Sequence, residues 1–125
     1  ASGWRRHALS QTAPVDQDDI ESLAVINEIH LASFTDGDKD LENELAELFD
    51  KTARGYLKRM REALAEERSW SAEAHALKGA SANLGASRLA AIAKKAEFAP
   101  PSEDQITLIE HALQDVQTFF AGRSP

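Results

Sequence analysis

The chain has 125 residues, 42% hydrophobic and 28% charged, with six glycines, four prolines, no cysteine and a formal net charge of −7. This is the make-up of one ordinary globular domain, rich in the helix formers Ala, Leu, Glu and Lys. The missing cysteines exclude disulfides, thiolate metal sites and cysteine nucleophiles, and the acidic balance argues against a nucleic-acid binder.

No apolar run approaches the ~20 residues of a membrane span, and the first residues lack the apolar stretch of a secretory signal. A cytoplasmic location is therefore expected, with no membrane association. Residues 1–15 show no period and read as a flexible leader, in part not native to the domain, ahead of one helical domain over 16–125. From Asp16, carboxylates at Asp16, Asp18 and Asp19 precede Ile20, Leu23, Ile26 and Leu31, which predicts an N-terminal helix. Thr35-Asp36-Gly37-Asp38 is a turn that ends in an N-cap for the next helix.

That helix is predicted from Asp38 to about Glu66. Leu41, Leu45, Leu48, Phe49, Thr52, Tyr56, Met60, Ala63 and Leu64 follow helical spacing and form the expected core stripe. Gly55, inside the run, reads as a close-packing point. Ser69 is the expected cap of the next helix, with Trp70, Ala74, Leu77, Ser81 and Leu84 on its inner side and Gly85 as a left-handed C-cap. A short helix follows from Ser87 to Phe98, burying Leu89, Ile92, Ala93 and Ala96. After Pro100-Pro101, Ser102 caps a last helix, with Gln105 at the capping-box position and Ile106, Ile109, Leu113, Val116 and Phe120 as its seam. No strand pattern competes. The expected fold is all-α: an antiparallel four-helix bundle core with an additional N-terminal helix across one end.

One helix face departs from these rules. At about 100° per residue, His75 lies about 160° from the core-facing Leu77. Its outer-face neighbours are Ser71, Ala72, Lys78, Gly79 and Ala82, all small except Lys78. An outer face normally carries long charged residues, so this bare patch with a helix-weakening glycine points to a functional site. A neutral imidazole is nucleophilic near neutral pH, and phosphoryl transfer needs positioning and charge neutralisation rather than a strong base. Lys78 would supply that charge, and Gly79 would leave room for a phosphoryl group and a docking partner. The bland alternative, an ordinary surface histidine, stays open on these residues alone. It is the reading given to His7, His30 and His111.

The stretch from Ala74 to Ala86, Ala-His-Ala-Leu-Lys-Gly-Ala-Ser-Ala-Asn-Leu-Gly-Ala, closely resembles the signature of histidine-containing phosphotransfer (HPt) domains, His-x-Leu-Lys-Gly-x-Ser-x-x-x-Gly. The helix from Leu41 to Leu64 and Trp70 are also similar to the family, so the resemblance spans about residues 16–121. It implies a monomeric phosphocarrier without ATP-dependent kinase activity. Such a carrier relays a phosphoryl group between an upstream sensor histidine kinase, or its receiver domain, and a response-regulator receiver aspartate. By the same resemblance His75 is the phosphoacceptor at Nε2, Lys78 the charge partner, Gly79 the clearance residue and Glu97 the residue that orients the imidazole. No intrinsic cofactor or metal is implied, and Mg²⁺ would come with the receiver. Ser71, Ala72, Ala82 and Arg88, with Lys94, are the docking residues expected from helix geometry. The sequence departs from the family in the proline pair just after Glu97, and in lacking a cysteine some members carry on that helix.

Two other classes of protein have to be set against these residues. A non-catalytic helical interaction module would use the same bare face. A di-iron or other metal bundle needs inward Glu-x-x-His pairs, and none occurs. A kinase is excluded, because no glycine-rich phosphate loop is present and one bundle uses the whole chain.

Overall fold

A computed structural model of the chain describes residues 17–123; the expected leader, Asp16 and His7 lie outside the described residues. Among the described residues six helices follow in order: α1 (Gln17–Glu21), α2 (Glu28–Thr35), α3 (Lys39–Ala65), α4 (Ser71–Leu84), α5 (Ser87–Glu97) and α6 (Glu103–Ala121). The last four form a ring in which α3 packs on α4, α4 on α5, α5 on α6, and α6 back on α3. Short connections between neighbours make them antiparallel, which gives the expected four-helix bundle. The core is continuous through its centre, from Phe49 and Met60 through Trp70 and Leu77 to Ile92 and Ile109.

The N-terminal part corrects the sequence reading. Instead of one helix there are two short ones, α1 packed on α5 and α2 on α3. The break has a hydrogen-bonding cause. Backbone groups between the two helices find partners on the α4–α5 corner: Asn27 N–H donates to Gly85 O (2.7 Å) and Arg88 N–H to Ala24 O (3.1 Å). The Arg88 guanidinium also donates to the carbonyls of Glu21 and Leu23. With these groups satisfied across the fold, the chain has no need of a helical ladder there. Asn27 then caps α2, its side chain accepting from His30 N–H (3.0 Å).

In α3 the cap is as expected, with Asp38 accepting from Leu41 N–H (3.1 Å). The core stripe is not. Phe49, Met60 and Ala63 are buried, but so are Ala53, Leu57 and Glu42, whereas Leu48 is 63% exposed and Leu41 is also exposed. Since α3 is covered by α4 on one side and α6 on the other, its buried arc is set by both neighbours. Small Ala53 lies inside that arc and large Leu48 outside it. Gly55 is not a close-packing point, because a Cβ there would meet only the Arg59 side chain, at 3.8 Å.

The remaining helices follow the sequence closely. The whole expected inner side of α4 is buried, as are all four expected positions of α5 and all five of α6. Gly85 ends α4 at φ 90°, and Ser102 caps α6 through Gln105 N–H (3.2 Å). Two details differ. α4 starts at Ser71 with Trp70 in the cap position, so Ser69 lies one residue too early and its hydroxyl accepts from Ser71 N–H instead. Gln105 does not return the capping-box bond, and its Oε1 is buried without a partner.

Candidate functional site

The two-residue connection between α4 and α5 brings the start of α4 beside the end of α5. The Trp70 indole N–H locks that pairing by donating to Ala96 O (2.9 Å). Glu97, the last residue of α5, is thereby held opposite the first turns of α4. It reaches His75 even though the proline pair ends the helix close behind it: His75 Nδ1–H donates to Glu97 Oε1 at 2.8 Å. Lys78 Nζ lies 3.9 Å from the other oxygen, Oε2. That oxygen is buried and has no hydrogen-bond partner. The imidazole is 64% exposed and the Glu97 side chain only 11%. A carboxylate at a helix C-terminus meets the negative end of the dipole; Lys94 and Lys95 in the same last turn, together with Lys78, offset that.

With Nδ1 engaged, the neutral ring keeps its reactive lone pair on Nε2. Around it, Ser71, Ala72 and Ala82 are exposed as expected. Gly79 has nothing within 4 Å of where a Cβ would stand, so the chain's own packing does not require glycine there. Thus four sequence-derived site residues, His75, Lys78, Gly79 and Glu97, come together, and three docking residues share their face.

Arg88 does not belong with them. Its guanidinium holds the carbonyls of Glu21 and Leu23 and lies 3.7 Å from Asp115, so it works as a staple across the N-terminal segment. His30 is also structural, its Nε2–H donating to Asn83 O (3.2 Å) at the end of α4. His111 is exposed. Among the described residues no group of three His, Cys, Asp or Glu could hold a metal ion, and no helix is long and apolar enough to cross a membrane.

Sequence reasoning missed two apolar features. Phe98, next to Glu97, is 79% exposed. Leu31, Phe34, Leu45, Leu48, Thr52 and Ala80 line an apolar groove of about 470 Å³ between α2, α3 and α4. Spacing from Leu41 and Leu45 places Leu48 in the stripe, but relative to the buried Ala53 and Leu57 it falls on the far side of the helix.

No curated protein and no solved structure matches the chain. A family model, that of the Hpt domain, matches residues 44–119, from the first turns of α3 through His75 and Glu97 to the last turn of α6. Covering more than half of the sequence and the whole imidazole site, the match establishes that the chain belongs to the Hpt domain family, whose members transfer phosphoryl groups in two-component signalling.

Proposed function

We propose that the protein carries a phosphoryl group on His75 Nε2, taking it from a sensor histidine kinase or its receiver domain and passing it to a response-regulator receiver aspartate. The observation that supports this best is the 2.8 Å bond from Nδ1 to Glu97, which leaves Nε2 as the free nucleophile of an exposed ring. In uptake from an aspartyl phosphate, the Nε2 lone pair forms the P–N bond as the P–O bond breaks, and the donor carboxylate leaves with the electron pair. Donation reverses these steps.

Lys78 lies one turn along α4 and offers a positive charge to the transferred oxygens. Gly79 leaves space for them and for the partner's backbone. The docking surface is Ser71, Ala72 and Ala82, extended through Ala80 into the groove beside Phe34 and Leu48. Mg²⁺ is the receiver's contribution, and no ATP is bound. The protein acts as a monomer in the cytoplasm, where such partners work. A purely adhesive module would give the Glu97 bond no task.

Incubation with a phosphorylated receiver or kinase is expected to label His75 with acid-labile, base-stable phosphate. His75→Gln should abolish that labelling while leaving the thermal melt unchanged, since the ring is exposed. Undiminished labelling of His75→Gln would overturn the proposal.

A further inference from the structure

The carboxylate that orients the ring also bears on what happens after phosphorylation. Uptake by the Nδ1–H tautomer first produces a ring bonded to phosphorus at Nε2 that still carries its proton on Nδ1, and so is positively charged. Two fates are open to that proton. If it is lost to water, the ring becomes neutral, and later P–N cleavage must expel an imidazolate, a poor leaving group. If it is kept, the electron pair of the breaking P–N bond returns to Nε2 and the ring leaves as neutral imidazole.

We infer that Glu97 holds the proton on Nδ1 of phosphorylated His75, keeping the carrier in the form that gives up its phosphoryl group readily. The inference rests on the carrier reading above. Its basis is the unequal satisfaction of the carboxylate. Oε1 has the ring as its hydrogen-bond partner at 2.8 Å. Oε2 is buried with no hydrogen bond, and Lys78 stands off at 3.9 Å. A largely buried carboxylate satisfied on one side gains from a full positive charge on the ring it touches. An incoming phosphoryl group also competes for Lys78, which increases the dependence of Glu97 on that ring charge.

Glu97 of α5 touches the ring, Lys78 of α4 stands beside the same carboxylate, and Lys94 precedes Glu97 by one turn along α5. Glu73 of α4 pairs with Arg68, and Arg61 of α3 with Glu110 of α6. The Glu97 carboxylate is the group in hydrogen-bond contact with the ring, while Lys78 stands off from its far oxygen.

Glu97 is thus a positioning residue, acting through His75. The test needs no natural partner. The full chain and Glu97→Gln are phosphorylated with potassium phosphoramidate, and phosphohistidine decay is followed by ³¹P NMR from about pH 4 to about pH 9. Decay rates should coincide at the acid end, where the ring is protonated in both proteins. Near pH 8 the wild type should decay about tenfold faster, its fast limb extending roughly one pH unit further. A merely structural role would scale the profile without moving its midpoint. Independently of any variant, ¹⁵N NMR of the phosphorylated wild-type ring near pH 8 should find Nδ1 protonated. Superimposed decay profiles, or an unprotonated Nδ1 in the wild type, would overturn the inference and leave the carrier reading standing. Absence of phosphohistidine at position 75 would overturn both.

Discussion

Two carboxylates, the buried Glu42 and the partly buried Glu97, hold their helices to the rest of the fold in different ways. Glu42, in the first turn of α3, is 2% exposed and engaged at both oxygens. The Thr35 hydroxyl donates to Oε2 at 2.6 Å, while Arg123 donates to Oε1 and Lys39 lies 3.7 Å from it. Arg123 itself lies over the rings of Phe119 and Phe120. The cluster ties the end of α6 to the α2–α3 corner. Glu97 has one imidazole, one cation at a distance and an unpartnered oxygen. A carboxylate satisfied entirely by its own chain serves the fold. Under the proposed carrier role, one left half-satisfied beside an exposed imidazole suits a group that arrives and departs.

The largest expected effect tests this contrast directly. Glu42→Ala leaves the Arg123 guanidinium in a confined site without its anion, and should cost about 3 kcal/mol of stability in urea denaturation. Glu97→Ala strands no buried cation, since His75 is exposed and Lys78 partly so, and should change stability by no more than about 0.5 kcal/mol. Equal losses would erase the distinction. The acid limb adds a second measurement. Burial raises the Glu42 pKa, but the Thr35 hydroxyl, Arg123 and Lys39 together more than offset it and hold it below the ordinary value of 4.5. Its contribution is therefore complete above about pH 4.5 and is lost as pH falls through the lowered folded-state value. Glu42→Gln should remove that part of the acid sensitivity and flatten the stability–pH curve on this side only.

Two glycines of the same helix region repeat the contrast with a smaller effect. Gly85 sits at φ 90°, where an added Cβ would come within 3.0 Å of Asn27 O and 3.3 Å of the His30 ring. Gly85→Ala should cost about 1–2 kcal/mol through backbone strain and loss of the Asn27 contact. Hydrogen exchange should report the loss first at Asn27 N–H, which is bonded to Gly85 O.

These contrasts also explain what could be read from the sequence. The inner sides of α4, α5 and α6 follow from spacing alone, because each helix has one clear apolar arc. Helical phase likewise placed His75 outside the core. α3 was harder, since two neighbours share its buried arc and Ala53 carries no size signal. The two short N-terminal helices depend on backbone bonds to Gly85 and Arg88 more than fifty residues away, which no local pattern records. Arg88 was misassigned for the same reason, as its partners are main-chain carbonyls. Glu97 came from family resemblance, because its pairing with His75 depends on how two helices meet.

Gly79 carries the smallest predicted effect and the sharpest test of the bare face. Unlike Gly85 it lies within a regular helix, with nothing near its missing Cβ. For the chain alone, then, alanine is the better residue: Gly79→Ala should stabilise the protein by about 0.5–1 kcal/mol, seen as a higher melting temperature. If the glycine leaves room for the phosphoryl group and the partner's backbone, the same variant should transfer phosphoryl groups to a receiver more slowly, with no loss of fold. A drop in stability would mean that the glycine serves local packing. A gain in stability with unchanged transfer would remove Gly79 from the docking face and leave His75, Lys78 and Glu97 as the whole of the reactive centre.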